Sequence, residues 1–277
     1  MAYQSVTPLA RIGAGEPVLL LHPFATSHHV WSRVAETLAA GGRDVLAPTM
    51  LGHWGGPKPG PDGMRITALA DHIERVMDEA GWPTAHIVGN SLGGWIAFEL
   101  ERRGRARSVV AIAPAGGWRH WSWREIALGL RFLAALPMLL LAGLLRLSVD
   151  RSALGAIVRD PAAVPDDLRR STFLAMTHCP GYLGLIRAAL RDGGITGLDA
   201  VRAPTLLALC ARDTFIPPHR YGSMFVEELP PHAERILLPR VGHVPQLENP
   251  GLVAETISGF IAKQDLAQPS ARKPSTS

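Results

Sequence analysis

The segment that most constrains the fold is Val88-Gly89-Asn90-Ser91-Leu92-Gly93-Gly94. A short apolar run, Ala85-His86-Ile87-Val88, leads into a Gly-x-Ser-x-Gly pentapeptide at 89–93. A helix-compatible segment, Leu92–Arg103, leads out of it. Strand, tight turn and helix in that order put the serine on a strained corner with its hydroxyl clear of the sheet. Gly89 and Gly93 let strand and helix approach where a side chain would collide. The first helical turn also offers backbone N–H groups without intrahelical acceptors, beside a hydroxyl where negative charge can develop. Ser91 is therefore expected to be a nucleophile. The plainer reading, a Gly-rich turn with a helix-capping Ser, competes only while the pentapeptide is taken alone.

Around this corner the chain alternates between two periodicities. Ser5–Ile12 suits an edge strand, and the continuous apolar run Pro17–Leu21 suits a strand buried on both faces. Trp31–Ala40 is expected to be helical and to stop at Gly41-Gly42. Asp44–Ala47 reads as a strand and Pro48–Gly63 as a loop dense in Gly and Pro. Arg65–Ala80 reads as a helix, with Ile66, Leu69, Ile73, Val76 and Met77 at helical spacing. Val109–Ala113 is another buried-type strand. From Trp118 to Gly197 no strand is expected, and helices fall near Ser122–Leu136, Met138–Leu147, Arg151–Arg159, Asp166–Thr177 and Tyr182–Arg191. Alternation resumes with strand Thr205–Cys210, helix Tyr221–Leu229, strand Arg235–Leu238 and helix Leu252–Ala262.

Strands alternating with helices imply an α/β fold, a mostly parallel central sheet flanked by helices. The helical block implies an all-helical cap inserted between two halves of that core. The expected division is a core of residues 1–117 and 198–264, a cap or lid at 118–197, and a disordered tail at 265–277 with almost nothing apolar. In open parallel sheets reactive groups gather at the carboxyl ends of the strands. His22-Pro23-Phe24, Ser91 and Asp213 all stand at such ends, and His243 lies in the loop after the last strand.

Composition narrows the classes further. A chain of 277 residues holds one large α/β domain or a domain with a sizeable insertion. Its 2 cysteines, Cys179 and Cys210, match neither a metal spacing nor a disulfide framework, so a reducing, cytoplasmic setting is expected. Met1–Ile12 has no basic start followed by a long apolar run, as a secretory signal would. The longest apolar stretch, Phe132–Leu145, is 14 residues, contains Pro137 and lies between Arg131 and Arg146, which is short for a membrane span. Its apolar surface leaves room for a lipophilic ligand, a second copy of the chain in a homodimer, peripheral membrane contact or simple packing as its cover. Residues 118–197 hold 10 Arg, no Lys and 6 acidic groups, so the whole net charge of +4 resides there. An ordinary solvated face is the plain account of that surplus; a surface for anionic lipid or acidic substrates is the sharper one. No nucleic-acid-binding motif accompanies it. His28, His29, His53, His120, His178 and His219 lack metal-ligand spacing, and neither a metal nor a cofactor is expected.

Two further stretches join the serine corner. Asp213 follows Leu206-Leu207-Ala208-Leu209-Cys210-Ala211-Arg212, and His243 sits in Val241-Gly242-His243-Val244-Pro245, followed by Gln246-Leu247-Glu248-Asn249-Pro250. At these residues, over roughly Pro17 to Lys263, the chain resembles the α/β-hydrolase superfamily, whose chain order Ser, acid, His is met by Ser91, Asp213 and His243. The resemblance implies His243 as the base that takes the Ser proton and Asp213 as the carboxylate that orients its imidazole. The competing site for the acid, Ala113–Gly117, contains no Asp or Glu. The resemblance also implies an oxyanion hole built from the backbone N–H groups of Leu92 and Phe24. Where relatives have His-Gly-x, this chain has His22-Pro23-Phe24; Pro23 has no N–H, but the matching donor is Phe24. A second departure is Met50-Leu51-Gly52-His53-Trp54-Gly55, where relatives often have Asp-x-Pro-Gly-His-Gly-x-Ser. His22, Asn90, Trp118, Leu136 and Met138 are the expected substrate-binding residues. For Trp118, with Trp121 and Trp123, packing under the cap is the competing reading.

A Ser nucleophile disfavours the relatives that work through an Asp ester, dehalogenases and epoxide hydrolases. The leading expectation is hydrolysis, through an acyl-enzyme, of a carboxylic ester of a lipophilic small molecule, of the carboxylesterase or lipase kind. The second is a carbon–carbon hydrolase acting on aromatic ring-fission products, because Gly89-Asn90-Ser91 resembles that group's Gly-Asn-Ser. Perhydrolase, thioesterase and acyltransferase chemistry use the same triad. From another class, a hydrolase-like receptor or scaffold without turnover retains the same residues.

Overall fold

The computed structural model describes residues 9–59, 64–118 and 154–267. Seven strands form one sheet: β1 Leu9–Gly13, β2 Glu16–Leu21, β3 Arg43–Pro48, β4 Ala85–Asn90, β5 Ala106–Ile112, β6 Thr205–Cys210 and β7 Glu234–Leu238. Their spatial order is β1-β3-β2-β4-β5-β6-β7. Only β1 runs antiparallel to its neighbour, with Ile12 opposite Val45; every other pairing is parallel. Apart from short helical turns at His28–Trp31, Leu198–Ala200, Pro218–Gly222 and Pro245–Glu248, the helices among the described residues are α1 Ser32–Ala40, α2 Ile66–Glu79, α3 Leu92–Arg102, α4 Asp166–Thr177, α5 Tyr182–Asp192, α6 Ser223–Glu228 and α7 Pro250–Ala267.

The continuous apolar runs are explained by two cores, one on each face of the sheet. Along β2, Leu19 and Leu21 enter one core with α2 and α3, while Val18 and Leu20 enter the other with α1 and α7. β5 divides in the same way, Val109 and Ala111 to one side and Val110 and Ile112 to the other. A strand buried on both faces cannot alternate apolar with polar residues, so its pattern is a run.

The helical block enters both cores. Leu154, Ile157, Val158, Val164 and Leu168 pack with Val244, Leu247 and the inner face of α1. Leu185, Ala188 and Ile195 pack into the opposite core. The expected helices at Ser122–Leu136 and Met138–Leu147 lie outside the described residues, as do Leu136 and Met138.

Three expectations need correction. The helix expected over Arg151–Arg159 stops early: Leu154 is helical, but 155–157 form a turn in which the backbone N–H groups of Ile157 and Val158 both reach Leu154 O, and those of Arg159 and Asp160 bind a distant carboxylate. The helix expected at Tyr221–Leu229 is preceded by a wide turn over Pro218–Gly222 and is regular only over Ser223–Glu228. The last helix continues to Ala267, so Asp265–Ala267 is ordered helix and not tail; Asp265 pairs with Arg43 at 2.7 Å. The remainder of the expected tail lies outside the described residues.

Candidate active site

The carboxyl ends of β2, β4, β5 and β6 meet at one edge of the sheet, and the backbone there is strained. Ser91 has φ 55° and ψ −115°, Ala25 beyond β2 has φ 56°, and Ala113 beyond β5 has φ 40°. Left-handed conformations cost a residue with a Cβ about 1–3 kcal/mol and persist only where the surroundings over-determine them. At Ser91 they do. Its N–H donates to Ile112, and its carbonyl accepts from Trp95 and from Ala115. A Cβ at Gly89 would stand 2.1 Å from the Gly93 carbonyl oxygen, and one at Gly93 would stand 2.2 Å from that of Leu21. No residue but glycine fits at either position. Leu92 is the first residue of α3, so its N–H has no intrahelical acceptor.

Asp213 and His243 come from the loops after β6 and β7 and meet at the same edge. Asp213 Oδ2 accepts from His243 Nδ1 at 2.7 Å. Asp213 Oδ1 accepts the backbone N–H groups of Phe215 at 2.9 Å and Ile216 at 2.7 Å, which fixes the carboxylate plane. All three residues of the expected set are nearly sealed, with Ser91 4%, Asp213 5% and His243 2% exposed. The far ring nitrogen of His243, Nε2, is buried with no hydrogen-bond partner. An imidazole held through Nδ1 by a carboxylate keeps Nε2 as an acceptor for a proton.

Asn90 ties this pair to the serine corner. Its Nδ2 donates to Ile112 O and to His243 O, both at 3.0 Å, and its Oδ1 accepts from Gln246 Nε2 at 3.1 Å. Every hydrogen-bonding atom of its side chain is thus used within the protein. These bonds join Asn90, expected from the sequence to bind substrate, to the His243 loop.

His22 is likewise engaged within the protein. It is 0% exposed; Nε2 accepts the Met50 N–H at 2.9 Å, so Nδ1 carries the proton and donates to Pro23 O at 2.8 Å. Burial, aided by neighbouring His53, pushes its pKa well below the ordinary imidazole value, so the ring is neutral. Its role is visible in the Pro23–Phe24 peptide. The Pro23 carbonyl also accepts from Thr26 Oγ1 at 2.8 Å and from Thr26 N at 3.3 Å. A trans peptide is planar, so pinning the carbonyl on one side aims the Phe24 N–H to the other. The substitution of Pro for Gly at position 23 therefore leaves the donor direction controlled.

The Phe24 ring faces the helical block, 4.9 Å from the ring of Tyr182 at the start of α5. Ala25, Tyr182 and Ile186 bury a small apolar cluster there, with Phe24 and Cys179 against it. Burial raises the Tyr182 phenol to about 12 and the Cys179 thiol to about 12. Sequence reading did not find Tyr182, because nothing local distinguishes it from any tyrosine on an amphipathic helix. Trp118 stands edge-on against Trp95 of α3, ring centres 5.6 Å apart. Among the described residues no cluster of His, Cys, Asp or Glu could hold a metal ion, and no helix is long and apolar enough to cross a membrane.

Comparison with known proteins follows the same lines. The family model described as "Alpha/beta hydrolase family" matches residues 18–256. The chain is 42% identical over 204 residues to "Epoxide hydrolase EphH" of Mycobacterium tuberculosis, covering 72% of this chain and 95% of that one. It is 25% identical over 267 residues to 2-hydroxy-6-oxo-6-phenylhexa-2,4-dienoate hydrolase of Burkholderia cepacia, covering 90% and 89%. Its fold is that of a thermophilic esterase from Thermogutta terrifontis, with TM-score 0.71, 22% identity and coverage of 92% and 93%. With the sheet, the corner and a family match spanning nearly all of both, the chain is a hydrolase that belongs to the α/β-hydrolase family.

Proposed function

We propose that the chain is a serine hydrolase acting on carboxylic esters of lipophilic small molecules. The observation that carries this reading is the His243–Asp213 pair, with Nε2 buried and unpartnered among the described residues, tied by Asn90 to the strained serine that follows it in the chain. Ser91 attacks the ester carbonyl while His243 takes its proton. The Leu92 and Phe24 N–H groups receive the oxyanion. His243 then protonates the departing alcohol, and a water activated by the same imidazole releases the acid. Asp213 holds the tautomer and stabilises the imidazolium.

The name of the 42% identical relative raises epoxide opening as the second reading. Attack by Ser91 on an epoxide carbon would leave an alkyl ether, which has no carbonyl for water to attack. Epoxide turnover here would need His243 to activate water directly, with Ser91 unmodified. Carbon–carbon hydrolysis of ring-fission dienoates, suggested by the Burkholderia cepacia relative, would keep Ser91 and the oxyanion donors in use. The Phe24, Ala25, Tyr182 and Ile186 cluster favours an apolar acyl group.

Turnover of p-nitrophenyl acetate, butyrate, octanoate and palmitate, beside styrene oxide and a ring-fission dienoate, tests these readings together. Medium acyl chains are expected to exceed acetate by roughly tenfold in kcat/KM, since each buried CH₂ contributes about 0.8 kcal/mol. Covalent labelling of Ser91 by a fluorophosphonate is expected to abolish that turnover. Epoxide turnover that survives in Ser91→Ala, with no ester turnover in the parent, would overturn the proposal. Labelling without turnover of any substrate would point to a receptor.

A further inference from the structure

Asn90 holds the His243 loop on its inner side; a second residue, Glu248, holds it on its outer side. Glu248 Oε2 accepts the backbone N–H of Arg159 at 2.8 Å and of Asp160 at 2.9 Å. Its Oε1 accepts the backbone N–H of Gly242, the residue before His243. One half-buried carboxylate therefore gathers three backbone donors from two segments more than eighty residues apart, and among the described residues no cation pairs with it. Hydrogen bonds to an ionised acceptor are roughly twice as strong as neutral ones and hold their geometry more tightly.

The two segments are also pressed together. The Val244 N–H donates to Ile157 O at 2.9 Å. A Cβ on Gly242 would stand 2.7 Å from Arg159 N and 2.9 Å from the Val158 carbonyl carbon. Ile157, Val158, Val241, Val244 and Leu247 are buried in one core. The peptides on both sides of His243 thus contact the helical block directly, at 154–160, and Glu248 closes the contact.

We infer that Glu248 is a positioning residue for His243: its carboxylate clamps the Gly242–His243 peptide to the segment Leu154–Asp160, so that seating of the helical block and alignment of the imidazole are one event. The inference rests on the serine-hydrolase reading for its effect on rate, and on geometry alone for its effect on His243. A clamp of this kind transmits movement. Whatever shifts the block at 154–160 moves the imidazole relative to Ser91, and a misplacement near 1 Å costs on the order of 10²-fold in rate.

Glu248→Gln tests this, because it keeps the size of the side chain while removing its charge and turning one acceptor into a donor that faces N–H groups. Three measurements are made on the full chain: the fluorophosphonate labelling rate of Ser91 against pH, kcat and KM for a p-nitrophenyl ester, and the proton resonance of His243 Nδ1–H. Glu248→Gln is expected to lower kcat and the labelling rate about tenfold or more with KM within about twofold. It should also displace the acid limb of the pH profile and shift the Nδ1–H resonance. Glu248→Asp should recover part of each. Gly242→Ala, which separates the same two segments from the other side, should reproduce the effect, and the double variant should be no worse than the more impaired single one. This second variant carries the test if Glu248→Gln does not fold. A folded Glu248→Gln with unchanged labelling, pH limb and resonance would overturn the inference. A parent chain inert to fluorophosphonate and to esters would sink the serine reading instead, while the His243 resonance would still decide for or against Glu248.

Discussion

The serine corner and the helical block are built on different terms. At the corner, backbone lies on backbone: a Cβ at Gly93 would sit 2.2 Å from Leu21 O and 2.6 Å from Leu21 C. In α5 of the block, a Cβ at Gly184 would meet only the Met64 side chain, 2.8 Å from Cγ. Methionine is flexible and fills irregular gaps, whereas a strand backbone cannot move without moving the sheet. Elsewhere the block is joined by side chains reaching backbone, such as Arg191 to Met64 O at 3.0 Å, and by the Tyr182 ring on Phe24. At a few points it is joined by backbone on backbone, as where Gly181 N donates to Gly52 O at 2.7 Å and Val244 N to Ile157 O at 2.9 Å. The corner is thus set by backbone geometry and sterics, and α5 of the block by side-chain contacts that can be exchanged one at a time.

The largest expected effect is on chemistry without packing. Ser91→Ala should lose about 10⁴-fold or more in kcat against the best p-nitrophenyl ester and keep the thermal midpoint of the parent. Asp213→Asn should lose about 10³- to 10⁴-fold, because the amide favours the wrong imidazole tautomer. A loss under tenfold for Asp213→Asn would mean another carboxylate orients His243.

Packing at the corner comes next. Gly93→Ala has no room for its methyl group and should destabilise the fold by about 3 kcal/mol or more, read from the urea midpoint. Near-parental stability would show that β2 and α3 can part, and the contrast with the block would fail.

Between the two regions lies a seam of neutral histidines. Burial lowers His28 and His53 to about 4 each, His28 with added repulsion from His29. His28 Nδ1 meets Thr49 Oγ1 at 2.7 Å, and His53 Nδ1 meets Leu51 O at 3.1 Å. Unfolded, both titrate near the ordinary value of 6.5. Between those values the unfolded chain binds protons that the folded chain refuses. Stability is therefore full above about pH 6.5 and declines as pH falls toward about 4. His53→Gln should make that decline shallower by on the order of 2 kcal/mol, measured by denaturant unfolding at pH 7 and pH 4.5. An unchanged slope would place the acid sensitivity elsewhere.

The smallest effect is expected in the block. Gly184→Ala sits inside a helix and must shift the Met64 side chain from its Cγ, 2.8 Å away, but meets no backbone. Its stability should lie within about 1 kcal/mol of the parent, since Ala gains up to about that much over Gly in a helix. A loss comparable with Gly93→Ala would erase the distinction between the two regions.

Much of the corner was legible because its causes are local. Glycines at 89 and 93 bracket a serine, and the apolar runs of β2, β5 and β6 need two covered faces; both facts lie within a few neighbouring residues. Asp213 and His243 were legible through resemblance and order, and the structure brings them within 2.7 Å. The structure added the partners of His22 and Asn90, whose polar atoms are engaged by Met50, Pro23, Ile112, His243 and Gln246. It also introduced Tyr182 and Glu248, which no local pattern marks.

By itself, then, the sequence determined the alternation of strands and helices, the glycine-bracketed corner and the residue types able to do acyl chemistry, because these follow from periodicity and sterics between near neighbours. Only the tertiary structure decided that β3 pairs with both β1 and β2, that Tyr182 faces Phe24, and that Glu248 joins Gly242 to Arg159. Those contacts depend on how the chain returns to itself over tens of residues, and a hydrogen bond carries no trace of its partner in the sequence on either side.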